Sequence, residues 1–224
     1  MLFRSREDQD RVAALSHQRA AAAAELLAEE IVPVSVPQRR GEPLEVTSDE
    51  GIRPDTTAAS LAHLHPAFAE GGTITAGNSS QISDGAAALV LTTSARADAE
   101  GWQIMARLGA NGQTAGPDSS LQAQPADAIA RALEKQGIPA ADLDLVEINE
   151  AFGAVVAHSQ RALGVGEEIV NVHGGGIALG HPIGASGARL VVHMAHELAR
   201  RGSGTAAVGL CGGGGQGEAL VLLR

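Results

Sequence analysis

The sequence predicts an α/β fold of the layered type, with mixed sheets covered by helices. Three observations predict it. From about Gln124 onward, helical and strand-like runs alternate, as they do when helices pack on a sheet. The run Ala86 to Thr92 (AAALVLT) is apolar throughout, as expected of a strand covered on both faces. The closing runs Thr205 to Cys211 and Glu218 to Leu222 are joined by GGGGQG, which reads as an antiparallel pair.

Ser5 to Glu30 reads as one helix. Ser5 is the expected N-cap, Glu7 and Asp8 fill the first turn, and Val12, Leu15, Ala22 and Leu26 form the expected apolar stripe. Ile31 to Pro37 is a short extended piece, and Gln38 to Ala58 an irregular, polar excursion. Leu61 to Phe68 is expected to be helical and broken at Pro66, Thr73 to Thr75 extended, and Gly77 to Gly85 a turn-rich loop. A helix capped by Ser94 runs to Glu100, and a strand follows at Ile104 to Leu108. The regular part then has a helix starting near Pro125 and stopped by Gly137, a strand at Leu143 to Ile148 and a helix at Ala151 to Leu163. A strand at Ile169 to Val172 and a long glycine-rich loop from Gly174 to Gly187 lead into a helix at Ala188 to Arg201, stopped by Gly202.

Composition narrows the function. The 224 residues carry a net charge of −10, which disfavours nucleic acid and anionic membrane surfaces as partners. With one Trp, three Phe and no Tyr, the core is aliphatic and rich in Ala. One Cys excludes an intrachain disulfide and marks a candidate nucleophile or proton carrier. The opening MLFRSREDQD turns charged after three residues, and no apolar run approaches the ~18 residues that span a bilayer. The expectation is a cytoplasmic protein.

Three turns at the ends of strand-like runs hold candidate chemistry: Asn149-Glu150-Ala151-Phe152, Gly180-His181-Pro182 and Cys211-Gly212-Gly213. His181, fixed in a loop by Pro182, is either a hydrogen-bonded turn residue or a functional imidazole in a loop whose glycines bring backbone N–H groups close. Cys211 is either a small inert thiol or a proton-transfer group, with the Gly213 N–H available to a developing oxyanion. Asn149 is either a helix N-cap or an amide that holds a water or a substrate carbonyl. His17, His63, His65, His158, His173, His193 and His196 lack such settings; no metal site is expected, because none has ligand-spaced partners. Gly212, Gly214 and Gly217 fit G-x-G-x-x-G, but a strand follows where a dinucleotide fingerprint needs a helix. Ser186 in GASGA nearly fits a serine-hydrolase elbow. It ends a long loop, though, and reads as the cap of the next helix.

NEAFGAVVAHSQRALG, NVHGGGIALGHPIGASGARLVVHMAHEL and LCGGGGQGEALVLL resemble the three C-terminal signature blocks of the thiolase family. GGTITAGNSSQISDGAAALVL is similar to that family's junction between loop domain and core. SREDQDRVAALSHQRAAAA and IRPDTTAASLAHLHPAF resemble its loop-domain helix and connection. The resemblance implies a thiolase-type fold and a C-acyltransferase acting on coenzyme A thioesters, which are substrates; no permanently bound cofactor is implied. It implies that His181 activates an acylated cysteine, that Asn149 fixes a water beside it, that Cys211 shuttles the substrate α-proton and that the Gly213 N–H faces the tetrahedral intermediate. Ser80 is similar to a serine touching the pantetheine arm, and Arg53 to an arginine near the nucleotide end of coenzyme A.

One departure is large: the family's nucleophilic cysteine precedes these blocks, whereas the single Cys here, Cys211, lies in the last one. The expected division is a loop-domain remnant with coenzyme A contacts at 1–82, a tail of an absent N-terminal core domain at 83–102, and the thiolase C-terminal domain at 103–224. A homo-oligomer, or a companion chain that supplies the missing half, is expected to complete the molecule. Ala86 to Thr92 would otherwise expose unpaired edge groups. A non-catalytic remnant or partner subunit, and a serine acyl hydrolase using Ser186 and His181, are the alternatives. His173 departs from the smaller polar residue usual in the family and is expected to influence His181.

Overall fold

The computed structural model describes residues 5–224. The first four residues, part of the charged opening, lie outside the described residues. Ser5 caps the first helix as expected, its hydroxyl accepting the Asp8 N–H at 3.1 Å. The expected single helix is broken at Ala23 into α1 (Arg6–Ala22) and α2 (Ala24–Ala28). The buried face of α1 differs from the expected stripe. Ala22 is exposed, and Gln9, Asp10, Ser16 and His17 are buried beside Val12, Ala13 and Ala20. A polar face can be buried when its groups find partners, and here Asp10 takes Arg6 at 2.7 Å and Asn78 Nδ2 at 2.8 Å.

A small antiparallel pair follows, β1 (Val34–Val36) with β2 (Leu44–Val46). The second strand lies inside the stretch expected to be irregular. The helix expected at Leu61 to Phe68 instead ends at Leu61: α3 (Ala58–Leu61) is fixed by a capping box between Thr57 and Ser60. Ala86 to Thr92 forms no strand. Val90 is 88% and Leu91 66% exposed, so the apolar composition is present but no neighbouring strand pairs with it among the described residues. A strand is made by its partner, and composition alone does not supply one. Next comes α4 (Ser94–Glu100), capped by Thr93 rather than Ser94.

The C-terminal part is a sheet between helices. Its strands are β3 (Arg107–Ala115), β4 (Leu145–Ile148), β5 (Thr205–Gly212) and β6 (Gln216–Leu223), in the order β3-β6-β5-β4. β4 and β5 are parallel and the other pairs antiparallel, so the sheet is mixed. β3 runs well past the expected Leu108; its polar Asn111, Gln113 and Thr114 hid it, because an edge strand need bury little. On one face, α5 (Gln124–Gln136) and α6 (Gly153–Leu163) pack Ile129, Leu133, Val155 and Val156 against Val146, Ile148, Ala207 and Val221. On the other, α8 (Ser186–Arg201) sets Leu190, Met194 and Leu198, all fully buried, on Leu145, Ala206, Val208 and Leu222. Each such side chain contributes about 1.5–3 kcal/mol. The expected strand at Ile169 to Val172 is a 3-10 turn at Glu167–Ile169 and one parallel bridge from Val170 to Val146. The long loop before α8 contains one further turn of helix, α7 (Gly176–Leu179). The helix stops expected at Gly137 and Gly202 are both left-handed caps. No helix among the described residues is long and apolar enough to cross a membrane.

Candidate active site

Asn149 and Glu150 leave the C-terminal end of β4, next to the end of β5: the Asn149 N–H donates to Gly209 O at 2.9 Å. Asn149 does not cap α6. Phe152 holds that position without a side-chain bond, because three residues separate Asn149 from the start of the helix at Gly153. The fully buried Asn149 side chain instead meets His181, Nδ2 to Nε2 at 3.3 Å.

His181 reaches this point because Gly180 precedes it. The φ of Gly180 is +94°, and a Cβ there would collide with Ser83. The backbone of His181 is then held by Gln81, whose carbonyl accepts the His181 N–H at 3.0 Å. The segment 78–82 thereby joins both turns. Asn78 O accepts the Gly153 N–H at 2.8 Å, the Ser80 N–H donates to Ala151 O at 3.1 Å, and Ile82 bridges His181 in parallel. Ser80 therefore sits half-buried between the two turns, a position the sequence did not reveal.

Glu150 anchors the same turn to α1 and α7. Its carboxylate accepts Ser16 Oγ at 2.5 Å, Asn171 Nδ2 at 2.8 Å and the Ile177 N–H at 3.1 Å. Burial pushes its carboxyl above the ordinary range, opposed by these three donors. Burial, and then the guanidinium of Arg189, push His181 below the usual histidine value, so the imidazole is neutral near pH 7. Arg189 is itself held by buried Glu147 at 2.7 Å. His173, expected to bear on His181, instead faces His193, Nδ1 to Nε2 at 3.3 Å, and it is Arg189 whose charge reaches His181.

Cys211 lies at the end of β5, opposite Gly217 on β6 and two residues past the carbonyl that Asn149 holds. The thiol packs against the cluster containing Ile129 and Ile148, and burial pushes its pKa up, so it is protonated near neutrality. No hydrogen bond among the described residues joins it to Asn149 or His181. A cavity of about 530 Å³ opens beside Cys211, lined by Gln113, Arg131, Gln216 and Glu218 among others, and neither Asn149 nor His181 lines it. The amide and the imidazole thus meet directly, while the thiol lies on the neighbouring strand β5 with no hydrogen bond to either. Gly213 is exposed in the β5–β6 turn, with open space where a side chain would sit. Arg53 is exposed, its backbone N–H donating to His17 Nδ1 at 3.2 Å.

The sequence missed Glu150, Gln81, Arg189 and the part played by Ser186. Glu150, adjacent to Asn149, and Ser186, in its near-match to a hydrolase elbow, carried a signal; Gln81 and Arg189 did not. Ser186 does not cap α8, where Ala185 holds the N-cap. Its Oγ lies 2.6 Å from His181 Nδ1, but at 1% exposure it is closed to a substrate, which removes the serine-hydrolase reading. Among the described residues, no group of three or more His, Cys, Asp or Glu side chains is placed to hold a metal.

Comparison with known proteins accords with this layout. The family model described as thiolase, C-terminal domain, matches residues 102–224, and that described as thiolase, N-terminal domain, matches residues 3–95. A probable acetyl-CoA acetyltransferase of Mycolicibacterium smegmatis is 58% identical over 222 residues, covering 98% of this chain and 57% of that protein. The crystal structure of Bacillus anthracis acetyl-CoA acetyltransferase superposes with a TM-score of 0.92 at 41% identity, over 98% of this chain and 56% of that one. Human mitochondrial 3-ketoacyl-CoA thiolase gives 0.88 at 36% identity, over 99% and 56%. The chain therefore spans a little over half the length of the relatives it matches. With the C-terminal family model matched over more than half of its residues and the layered α/β fold shared with solved relatives, the chain belongs to the thiolase family.

Proposed function

We propose that this chain supplies the imidazole, the amide and one thiol of an acyl-CoA C-acyltransferase, which cleaves or condenses acyl-CoA thioesters. One observation carries the reading: a neutral, half-buried His181 held against the amide of Asn149 at the ends of two turns that segment 78–82 ties together. The chemistry needs these groups. A thioester α-proton is weakly acidic, so the enolate must be met by preorganised donors, and Asn149, with His181 once Nε2 has taken a proton, would provide them. Cys211, protonated at rest, would give and take the α-proton, and the Gly213 N–H would face the tetrahedral intermediate. Ser80 would contact the pantetheine arm and Arg53 the nucleotide end of coenzyme A. The thioester is a substrate, and no permanently bound cofactor takes part.

A thiolase reaction through an acyl-cysteine needs a second thiol, and the chain has one Cys. We infer that the acylated cysteine comes from a region this sequence does not contain, on the same polypeptide or on a companion chain, within a homo-oligomer or mixed assembly. The exposed run around Val90 and Leu91 supports this, since it offers an unpaired apolar segment to such a region. On this reading residues 1–82 are loop domain, 83–102 belong to the N-terminal core and 103–224 form the C-terminal domain. A cytoplasmic location fits the acidic chain and the proposed substrates.

Thiolysis of acetoacetyl-CoA tests the proposal. The 224-residue chain alone should be inactive. Joined to the N-terminal region of a relative, it should turn over, and His181→Ala should abolish that turnover. Activity of the chain alone, or activity of the joined protein untouched by His181→Ala, would overturn it.

A further inference from the structure

The side of His181 remote from Asn149 is occupied by Ser186. Ser186 Oγ lies 2.6 Å from His181 Nδ1 and 3.0 Å from the carbonyl oxygen of Pro182, and at 1% exposure the hydroxyl has no competing water. Its proton can go to Pro182 O, which also accepts the N–H groups of Ala185 and Ser186 at 2.9 Å, or to Nδ1, and the tautomer of the ring decides which. On the opposite side the Asn149 NH2 group only donates, and it faces Nε2. Nε2 therefore accepts, Nδ1 carries the hydrogen, and Ser186 Oγ receives it while its own proton turns to Pro182 O.

We propose that Ser186 is a positioning residue that places the proton of neutral His181 on Nδ1, leaving Nε2 as the base that exchanges protons in the site. The structural statement stands by itself; its use in catalysis rests on the thiolase reading above. When Nε2 accepts the proton of an incoming thiol, the S–H electron pair stays on sulfur as thiolate, and the imidazolium bears hydrogen on both nitrogens. The Nδ1–H to Oγ bond is the same before and after, so the remote side of the ring needs no rearrangement. Arg189, one turn further along α8 than Ser186, disfavours the charged ring and keeps the neutral tautomer as the resting form.

The test is long-range proton–nitrogen NMR on the full chain with labelled imidazoles, above the histidine titration range, with His181→Gln to assign the signal. In the wild type, neutral His181 should be protonated on Nδ1. Ser186→Ala should move the population toward the Nε2–H form, and Ser186→Thr, which keeps a hydroxyl, should restore it. A wild-type ring protonated on Nε2, or a tautomer unmoved by Ser186→Ala, would overturn the proposal. The wild-type spectrum decides even if the alanine variant does not fold. Loss of the thiolase reading would show only in the thiolysis assay and would leave this result intact.

Discussion

The amide nitrogen of Asn149 lies 3.3 Å from Nε2 of His181, across 32 residues of sequence and from two different turns. That distance is at the long end for a hydrogen bond, so the contact positions both groups without locking either. Removing the amide should cost catalysis more than stability. In a protein completed with a nucleophile-bearing half, Asn149→Ala should lower thiolysis on the order of 100- to 1,000-fold, the usual effect of losing one oxyanion donor. An unchanged kcat would remove Asn149 from the site.

Glu150 next to it is a structural anchor. Three donors converge on its carboxylate, and Asn171 cannot turn its amide to suit a new partner, because its Oδ1 already accepts the Ile148 N–H at 2.7 Å. Whichever way the amide of Glu150→Gln turns, its NH2 group faces a donor, Asn171 Nδ2 on one side or the Ile177 N–H on the other, in a site closed to water. The expected loss is about 1–3 kcal/mol in urea unfolding. Equal stability of the variant would show that the three bonds are replaceable.

Gly153 opens α6 where α1 crosses it. A Cβ there would stand 2.7 Å from the carbonyl oxygen of Gln9, a backbone atom that cannot step aside. Gly153→Ala should destabilise by about 1–3 kcal/mol. Gly184→Ala, where a Cβ would meet nothing within 4 Å, serves as the control and should leave the melting temperature near that of wild type. Similar losses in both would exclude helix crowding as the cause.

Stability should fall on both sides of neutral pH. Burial alone would lower His193, but the hydrogen bond to Glu30 at 2.9 Å and the carboxylates of Glu147 and Glu30 outweigh it and hold the ring above the usual histidine value. Its contribution is complete below the unfolded value of about 6.5 and is lost as pH rises through the raised folded value. Burial holds His17, His173 and His181 below the usual value, so their contribution is present above about 6.5 and is lost as pH falls through their folded values. Urea midpoints against pH should show both limbs. His193→Gln should flatten the alkaline limb and spare the acid one; the opposite pattern would contradict the assignment.

The Cys211 thiol should alkylate slowly at neutral pH. Its burial favours the protonated form, and the thiolate is the reactive species. Iodoacetamide labelling should accelerate steadily above pH 8, without a plateau near neutrality. Fast labelling at pH 7 would mean that the thiol is not the proton donor proposed for it.

Local signals along the chain determined much of the frame. Helix periodicity and the glycine stops at Gly137 and Gly202 marked α5 and α8, and the glycine-rich turn marked the β5–β6 hairpin, because these depend on neighbours a few residues away. The order of the three turn motifs pointed to Asn149, His181 and Cys211 for the same reason. What the sequence could not decide was anything requiring a distant partner. The polar edge strand β3 exists because β6 lies beside it, while the apolar run at Ala86 to Thr92 pairs with no strand among the described residues and forms none. Ser186 looked like a helix cap until its hydroxyl was seen against His181, and His173 looked like an influence on that ring until Arg189 was found in its place. Side-chain type and spacing are written along the chain, whereas tautomer, proton affinity and strand pairing are set by groups that only folding brings within a few ångströms.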